Sequence, residues 1–222
     1  MTAHLALVMD GNRRWAKKQG MMAWLGHKQG AKNVEMVMQY CLDNKISYLS
    51  LYTFSLENLK RPEQELHYLF LLIKEAQTRV DEFIKADVKI KFVGDLFLVP
   101  QETRDVCLQI QDATSHCVTL SCHFLFCYGG QQEILAAVQK LMQSDHKIIT
   151  KELFKEFLWS GNIPDPDIII RTGGVKRLSN FLLFQAAYSE IRFLDCFWPD
   201  LTREILDQTV QDCVKVQKNF GV

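Results

Sequence analysis

A short polar stretch follows an apolar segment near the start of the chain, and its residue types suit phosphate chemistry. Residues 4–9 predict a buried strand that ends at Asp10, and after a glycine-containing turn a helix begins with Arg13 and Arg14. The first N–H groups of a helix are unpaired and bind anions, and a guanidinium group matches phosphate oxygens. Because a carboxylate repels a phosphate unless a cation lies between them, Asp10 indicates Mg²⁺. The stretch predicts a magnesium-assisted phosphate or diphosphate site, with an ordinary strand, turn and solvated helix start as the alternative.

Further clusters supply enough positive charge for more than one phosphate group. Besides the arginine pair at 13–14, cations occur at Arg61, at Arg171 and at 176–177. One diphosphate needs about two or three charge-assisted donors, so this set suffices for two diphosphates or for one triphosphate. The chain contains no GxxxxGK[ST] stretch, which argues against a P-loop nucleotide enzyme, and no GxGxxG stretch after a strand.

The elements that must position these clusters alternate between strand and helix. Apolar, β-prone segments alternating with amphipathic helices are typical of a parallel sheet covered on both faces. In such α/β folds ligands bind at the carboxyl ends of the strands, and the polar clusters follow those ends. We therefore predict an α/β domain with a mainly parallel central sheet of about six strands. The predicted strands are residues 4–9, 48–55, 88–93, 119–128, 167–171 and 191–194.

The helices are predicted from apolar spacing and from residues that cap or start a helix. A long helix begins after Pro62 and carries an apolar stripe over residues 66–84, which is most simply a core-facing surface. The other helices are expected to open with residues 26–30, and to follow Gly129-Gly130, Pro100 and the capping residues Thr150 and Thr202.

Composition limits the class of protein. With 222 residues, 48% of them hydrophobic, the chain can bury one substantial core and is interpreted as a single domain, residues 1–222. Its 26 basic and 26 acidic residues cancel, which argues against nucleic-acid binding. No apolar run approaches the roughly 20 residues that span a bilayer, and no signal-peptide pattern is present, so a cytoplasmic protein is expected. The seven cysteines lack zinc-site spacing and are expected to be buried thiols.

Seven motifs, taken in order, resemble the cis-prenyltransferase family, and within it the bacterial undecaprenyl diphosphate synthases. The likeness spans nearly the whole chain. The motifs are residues 9–16 (MDGNRRWA), 26–30 (GHKQG), 54–58 (FSLEN) with 61–62 (RP), 128–130 (YGG), 167–174 (DIIIRTGG), 177–183 (RLSNFLL) and 188–190 (YSE).

The resemblance implies repeated condensation of isopentenyl diphosphate onto an allylic diphosphate such as farnesyl diphosphate. The expected product is undecaprenyl diphosphate, the lipid-carrier precursor for cell-wall synthesis. The resemblance further implies Mg²⁺, a homodimer, an apolar tunnel, and transient membrane contact when the product leaves, so the protein can be peripheral to the membrane. The 66–84 stripe, Leu120, Phe124 and Phe126 can line that tunnel, although a sandwiched strand would show the same pattern.

The resemblance also assigns roles to individual residues. Asp10 would hold Mg²⁺ and assist departure of the allylic diphosphate, and Glu190 matches a second acidic metal position, or is a solvated carboxylate at a strand start. Asn58 matches a catalytic position near the proton lost from isopentenyl diphosphate; because an amide is a poor base, it would position a proton path. His27 can bind substrate or merely cap its helix. The implied substrate-binding positions are Gly11, Asn12, Arg13, Arg14, Trp15, His27, Ser55, Leu56, Glu57, Leu59, Arg61, Arg171, Arg177, Leu178 and Ser179.

The chain departs from the family pattern at several positions. Ala23 stands where many members have an arginine, Leu59 replaces a common tryptophan, and residues 175–176 differ from the usual glutamate and polar residue. Residues 218–221 match the basic tail of the family only loosely. These changes concern substrate affinity and metal dependence more than reaction class.

Two other functions are compatible with parts of the pattern. One is a non-catalytic partner subunit of a cis-prenyltransferase, but such partners lose the Asp-Gly-Asn region, which residues 10–12 retain. The other is a phosphate-binding enzyme of unrelated chemistry, which would have no tunnel.

Overall fold

In the part of the chain that the structure describes, six parallel strands form one sheet. The computed structural model describes residues 2–215. The strands are β1 (His4–Val8), β2 (Tyr48–Ser55), β3 (Val88–Val93), β4 (Leu120–Tyr128), β5 (Ile168–Arg171) and β6 (Glu190–Phe193). Their order is β3-β4-β2-β1-β5-β6, and every neighbouring pair is parallel. The predicted α/β class and the strand count are confirmed.

Helices connect the strands, as the alternating pattern predicts. Short 3₁₀ segments cover Leu56–Lys60, Leu96–Leu98, Gln185–Tyr188 and Trp198–Asp200. The α-helices are α1 (Asn12–Lys18), α2 (Leu25–Asp43), α3 (Glu63–Gln77), α4 (Val80–Lys85), α5 (Gln101–Ala113), α6 (Gly130–Met142), α7 (Lys151–Phe157) and α8 (Arg203–Val214). Thr150 and Thr202 cap α7 and α8 through their side chains, as expected.

The sheet is covered on both faces because its strands are apolar on both sides. In β1, Leu5 and Leu7 pack on one face with residues of α2, α5 and α8. Ala6 and Val8 pack in a different cluster that contains Phe181. Alternate residues of a strand point to opposite faces, so an uninterrupted apolar strand needs cover on both sides.

Strand register brings the ends of the central strands to one level. Val8 of β1 pairs with Tyr52 of β2 and with Arg171 of β5. β2 continues to Ser55, and its pairing with β4 is irregular beyond Tyr52. Such irregularities bend a strand and re-aim its side chains. The polar residues that follow β1, β2 and β5 therefore meet at the carboxyl edge of the sheet.

The long helix predicted from the apolar stripe is interrupted. A break separates α3 from α4, so the prediction of one helix reaching Ile84 is wrong. At the break the N–H groups of Thr78 and Arg79 donate to carbonyl oxygens three residues earlier. Arg79 also forms an ion pair with Glu35 of α2. The apolar spacing continues across the break, and for that reason it could not reveal the interruption.

Three smaller expectations concern membrane spans, cysteines and the carboxyl terminus. Within residues 2–215, no helix is both long and apolar enough to cross a bilayer.

All seven cysteines are free thiols and most are buried, as predicted. The loosely matching segment 218–221 lies outside the described residues.

Two histidines are buried in the sheet. His4 and His123 are each about 1% exposed, and His4 Nε2 lies 2.8 Å from Ser50 Oγ. Burial lowers the pKa of His4 from its ordinary value of 6.5 to about 4. Burial, together with the neighbouring His4, lowers the pKa of His123 to about 3. Both rings are therefore neutral in the folded protein at pH 7.

We predict that acid destabilises the fold through this pair. Between pH 6.5 and about 4 the unfolded chain binds protons at His4 and His123 that the folded protein does not, so stability falls as pH falls. The expected slope is about 1.4 kcal/mol per pH unit for each histidine, measured by urea unfolding. His123→Gln should flatten the slope, whereas His116→Gln, at an exposed position, should not. Equal slopes in both variants would contradict the assignment.

Candidate active site

Asp10 and Arg171 form the centre of a polar site at the carboxyl edge of the sheet. Asp10 follows β1, and Arg171 ends the neighbouring β5. Asp10 Oδ2 lies 2.9 Å from Arg171 Nη2, and Asp10 Oδ1 lies 3.1 Å from Arg14 Nη2. The Thr172 hydroxyl donates to the backbone oxygen of Asp10 at 2.7 Å. The carboxylate is thus held between two guanidinium groups.

Two glycines let the loops after β1 and β5 approach each other. Gly11 has φ 110°, and a Cβ at this position would lie 2.8 Å from Phe197. Gly173 has φ 91°, and a Cβ would lie 2.6 Å from Arg14 Nη2. Any other residue would be strained at these φ values. The close approach allows Arg14 Nη1 to donate to Gly173 O at 2.7 Å, which ties α1 to the loop after β5.

Arg171 also belongs to a second group of polar side chains. Its Nη1 donates to Ser179 Oγ at 2.7 Å and to Arg177 O at 2.6 Å, and Arg177 Nε donates to the same Ser179 Oγ at 3.1 Å. Arg171 Nε is buried and has no hydrogen-bond partner in the described part of the chain. A buried unpaired N–H group is costly unless a ligand or water satisfies it. The set formed by Arg171, Arg177 and Ser179 is therefore suited to binding a second anion.

Glu65 is a buried carboxylate that holds two arginines and a histidine. It is 2% exposed and lies 3.1 Å from Arg61 Nη1, 3.4 Å from His27 Nε2 and 3.5 Å from Arg13 Nε. Burial alone would raise the pKa of Glu65, but the His27 hydrogen bond and the two arginines lower it overall. Burial is the main cause that lowers the pKa of His27, so this imidazole is neutral at pH 7.

Ser55 and Asn58 cap the 3₁₀ turn that follows β2. The Ser55 N–H donates to Asn58 Oδ1 at 3.3 Å, and the Ser55 side chain accepts the Asn58 N–H. In the same turn Glu57 Oε1 accepts a hydrogen bond from Asn180 Nδ2 at 3.2 Å. The amide oxygen of Asn58 is therefore already engaged by the backbone.

A cavity of about 870 Å³ opens beside these polar groups. Much of its wall is apolar and comes from α2, α3, α4 and β4, so the predicted tunnel corresponds to this cavity, although Glu35, Glu75 and Arg79 line it as well. Leu120 is a candidate tunnel residue from the sequence, but in the structure it packs in the core instead. The apolar wall residues on these four elements include Val34, Met38, Leu69, Leu72, Ile73, Ala76, Phe83, Phe124 and Phe126.

The predicted site positions divide between the cavity wall and its surroundings. Trp15, outside the wall, donates from Nε1 to Asp200 Oδ1 at 2.7 Å. Leu56 and Leu59 pack in an apolar cluster around Phe54. The positions that line the cavity are Asp10, Asn12, His27, Ser55, Glu57, Asn58, Arg61, Arg171, Arg177 and Ser179. Those that lie beside it, within residues 2–215, are Gly11, Arg13, Arg14, Trp15, Leu56, Leu59 and Leu178.

Glu190 lies at the opposite edge of the sheet from Asp10. It is the first residue of β6 and pairs with Ile168, the first residue of β5. Arg171 is at the other end of β5, about 10 Å away at roughly 3.3 Å per residue. The carboxylate of Glu190 forms an ion pair with Arg192 at 3.3 Å. Within a single chain, Glu190 therefore lies away from Asp10. The role of Glu190 as a metal ligand stays a prediction.

The sequence does not identify three side chains that shape the site. Glu65 follows Arg61 by four residues, and residues at this spacing are neighbours on a helix. This spacing is the sequence feature from which the Arg61–Glu65 ion pair could have been predicted. Thr172 and Asn180 lie inside the motifs at 167–174 and 177–183. Nothing local in those motifs shows that these side chains form hydrogen bonds across the site.

We predict that Gly11→Ala destabilises the protein and displaces the loop. Left-handed strain and the contact with Phe197 should together cost about 1–3 kcal/mol, measured by urea unfolding. Gly20→Ala is the matched control, because Gly20 also has a positive φ, but no described atom lies within 4 Å of a Cβ there. Equal losses in the two variants would show that the contact with Phe197 has no effect.

Comparison with known proteins agrees with this geometry. The profile of the family described as "Putative undecaprenyl diphosphate synthase" matches residues 8–221. An undecaprenyl diphosphate synthase of Micrococcus luteus is 39% identical, covering 98% of this chain and 90% of the relative. An isoprenyl transferase of Treponema denticola is 40% identical, covering 98% and 96%.

Solved structures show the same architecture. A probable undecaprenyl diphosphate synthase of Campylobacter jejuni superposes with a TM-score of 0.85 at 31% identity, covering 100% of this chain and 99% of that one. Lavandulyl diphosphate synthase of Lavandula x intermedia, at 24% identity, shares the fold with a TM-score of 0.95 and covers 98% of its own length. This chain belongs to the undecaprenyl diphosphate synthase family and is a prenyltransferase.

Proposed function

We propose that the enzyme lengthens an allylic diphosphate by repeated addition of isopentenyl diphosphate, with release of diphosphate and formation of a cis double bond each time. The observation that carries this proposal is the cluster of Asp10, Arg14 and Arg171 beside the opening of an apolar cavity. The Micrococcus luteus relative is named as specific for farnesyl diphosphate. We therefore take farnesyl diphosphate as the primer and undecaprenyl diphosphate as the product.

The donor set at Asp10 fits a magnesium ion that is shared with the substrate. Within residues 2–215, no three His, Cys, Asp or Glu side chains form a metal cage. Of the carboxylates that line the cavity, Asp10 is the one that lies between Arg14 and Arg171. Mg²⁺ is commonly held by one or two carboxylates together with substrate phosphates and waters. When bound, Mg²⁺ would neutralise part of the diphosphate charge. Glu190 stays a predicted second ligand.

The arginines around Asp10 and Glu65 are assigned to the allylic diphosphate. Arg13, Arg14 and Arg61 are held by these two carboxylates before any substrate arrives. Fixed positive charges stabilise an anion that develops as the carbon–oxygen bond breaks, without the cost of reorienting water. His27, which is neutral, can add a hydrogen bond without adding charge.

Arg171, Arg177 and Ser179 are assigned to isopentenyl diphosphate. Their mutual hydrogen bonds place two guanidinium groups around one hydroxyl group beside the cavity. Ser55 and Asn58 lie in the turn after β2 and are assigned to the end of the substrate that loses a proton. Holding both substrates in fixed orientation supplies much of the rate enhancement in such condensations.

The apolar walls are assigned to the growing hydrocarbon chain. Burial of each methylene group contributes about 0.8 kcal/mol, so the chain is retained between additions. We further propose that the enzyme works as a homodimer in the cytoplasm and contacts the membrane briefly when the product leaves. Analytical ultracentrifugation and vesicle co-sedimentation test these two points.

Incubation of the purified protein with radiolabelled isopentenyl diphosphate, farnesyl diphosphate and Mg²⁺ tests the function. We expect labelled polyprenyl diphosphates, whose length is read by chromatography. A non-catalytic partner subunit would give none alone and would raise the activity of an added prenyltransferase. An unrelated phosphate enzyme would show no affinity for allylic diphosphates.

We predict that Asp10→Asn lowers turnover by about 100-fold or more. The variant keeps the shape of the side chain but loses the charge that would bind Mg²⁺. Thermal unfolding should show an intact fold, and Asp145→Asn, at an exposed position, is the control for loss of one negative charge. Activity near that of the parent enzyme would refute the role of Asp10.

We predict that Arg177→Ala raises the KM for isopentenyl diphosphate by about 10- to 100-fold, the loss expected for one charge-assisted hydrogen bond. The KM for farnesyl diphosphate should change much less. Arg104→Ala is the matched control, because the Arg104 guanidinium group packs over Phe97. Equal changes in both KM values would contradict the separation of the two diphosphate sites.

A further inference from the structure

Asn180 uses its side chain and its backbone oxygen to connect two parts of the cavity wall. Its backbone oxygen accepts the N–H of Gly130 at 2.7 Å, and its Oδ1 accepts the N–H of Gln131 at 2.8 Å. Its Nδ2 donates to Gln132 Oε1 at 3.0 Å and to Glu57 Oε1 at 3.2 Å. The residue adopts a left-handed conformation with φ 67°, which asparagine tolerates better than most residues.

The glycine pair at the start of α6, Gly129 and Gly130, forms the surface on which Asn180 lies. A Cβ on Gly129 would be 2.7 Å from Asn180 Nδ2, and a Cβ on Gly130 would be 3.2 Å from Asn180 O. Gly129 itself has an extended φ of −158°, so its backbone conformation does not require glycine. The two glycines of the 128–130 motif leave room for Asn180, and also for Gln132 and Leu183, to pack closely against this turn.

Asn180 stands between the two groups assigned to isopentenyl diphosphate. It directly follows Ser179, whose hydroxyl accepts hydrogen bonds from Arg171 and Arg177. Through Nδ2 it reaches Glu57, in the turn that contains Asn58. Asn180 itself lines the cavity. One amide thus links the diphosphate end of the assigned site to the end where a proton is lost.

We propose that Asn180 is a positioning residue that sets the distance between the Arg171–Arg177–Ser179 group and the turn carrying Asn58. This inference rests on the proposed function, because it concerns how isopentenyl diphosphate is held between the two groups. Small misplacements of reacting groups reduce rates strongly, so a fixed link across the substrate has a kinetic effect. Glu57 is not required to touch substrate for this effect.

The competing role for Asn180 is a helix cap, since it accepts the first N–H groups of α6. Asn180→Asp separates the two roles. Aspartate keeps both acceptor oxygens and is a good partner for the start of a helix, so a cap would be preserved or strengthened. The variant loses the donor to Glu57 and places two carboxylates about 3 Å apart, so the link becomes repulsive.

The test compares N180D, E57Q and the double variant N180D/E57Q in steady-state kinetics. N180D should melt close to N162D, because the stronger cap of α6 offsets the repulsion from Glu57, but it should lower kcat/KM for isopentenyl diphosphate by about 100-fold. In the double variant the amide introduced at position 57 can donate to the carboxylate introduced at position 180, which restores the link with its polarity reversed. We expect the double variant to recover at least about tenfold of the loss. N162D, at an exposed position, controls for the added charge.

Specific outcomes would overturn the inference. If N180D keeps kcat/KM within twofold of N162D, Asn180 is only a cap. If the double variant is no better than N180D, Glu57 is not the partner. Should N180D fail to fold, E57A removes the acceptor of the link but leaves Asn180 Oδ1 on the N–H of Gln131, and should show the same loss of kcat/KM. An inactive parent enzyme would instead refute the proposed function, which keeps the two failures distinct.

Discussion

The site depends on one carboxylate, Asp10, that is fixed at the carboxyl edge of a parallel sheet. The register between β1 and β5 sets Val8 level with Arg171, so the residue two positions beyond Val8 meets the guanidinium group. Arg14 approaches the same carboxylate from α1. In an antiparallel pair the neighbouring strand would present its amino end at this edge. The parallel topology therefore determines which residues can share the site.

A second constraint is mutual repulsion among the cations. Arginines that converge beside one cavity raise each other's electrostatic energy, and burial adds a desolvation cost. Asp10 and the buried Glu65 offset this cost, because each lies within 4 Å of two arginines. The free protein is thereby stable with its positive charges already in position. A diphosphate entering the site meets a prepared group of cations, and little reorganisation is needed.

Sequence patterns predicted the sheet well because buried parallel strands are continuous apolar runs. They predicted much of the site because strand ends in such a sheet share one edge. They failed where the outcome depended on contacts distant in sequence. The break at Thr78 leaves the apolar spacing intact, and the bond from Asn180 to Glu57 spans 123 positions. Glu190 matches a motif, yet β6 places it at the amino edge.

The separation of polar opening and apolar cavity follows from a single helix. In its first turn α3 carries Glu65, which binds the cations, and it then presents Leu69, Ile73 and Ala76 to the cavity at intervals of one turn. At about 1.5 Å per residue, the distance from Glu65 to Ala76 is about 16 Å. The polar end and the hydrocarbon wall are therefore at a fixed separation, set by the length of one rigid element. A diphosphate bound near Glu65 must place its chain alongside this helix.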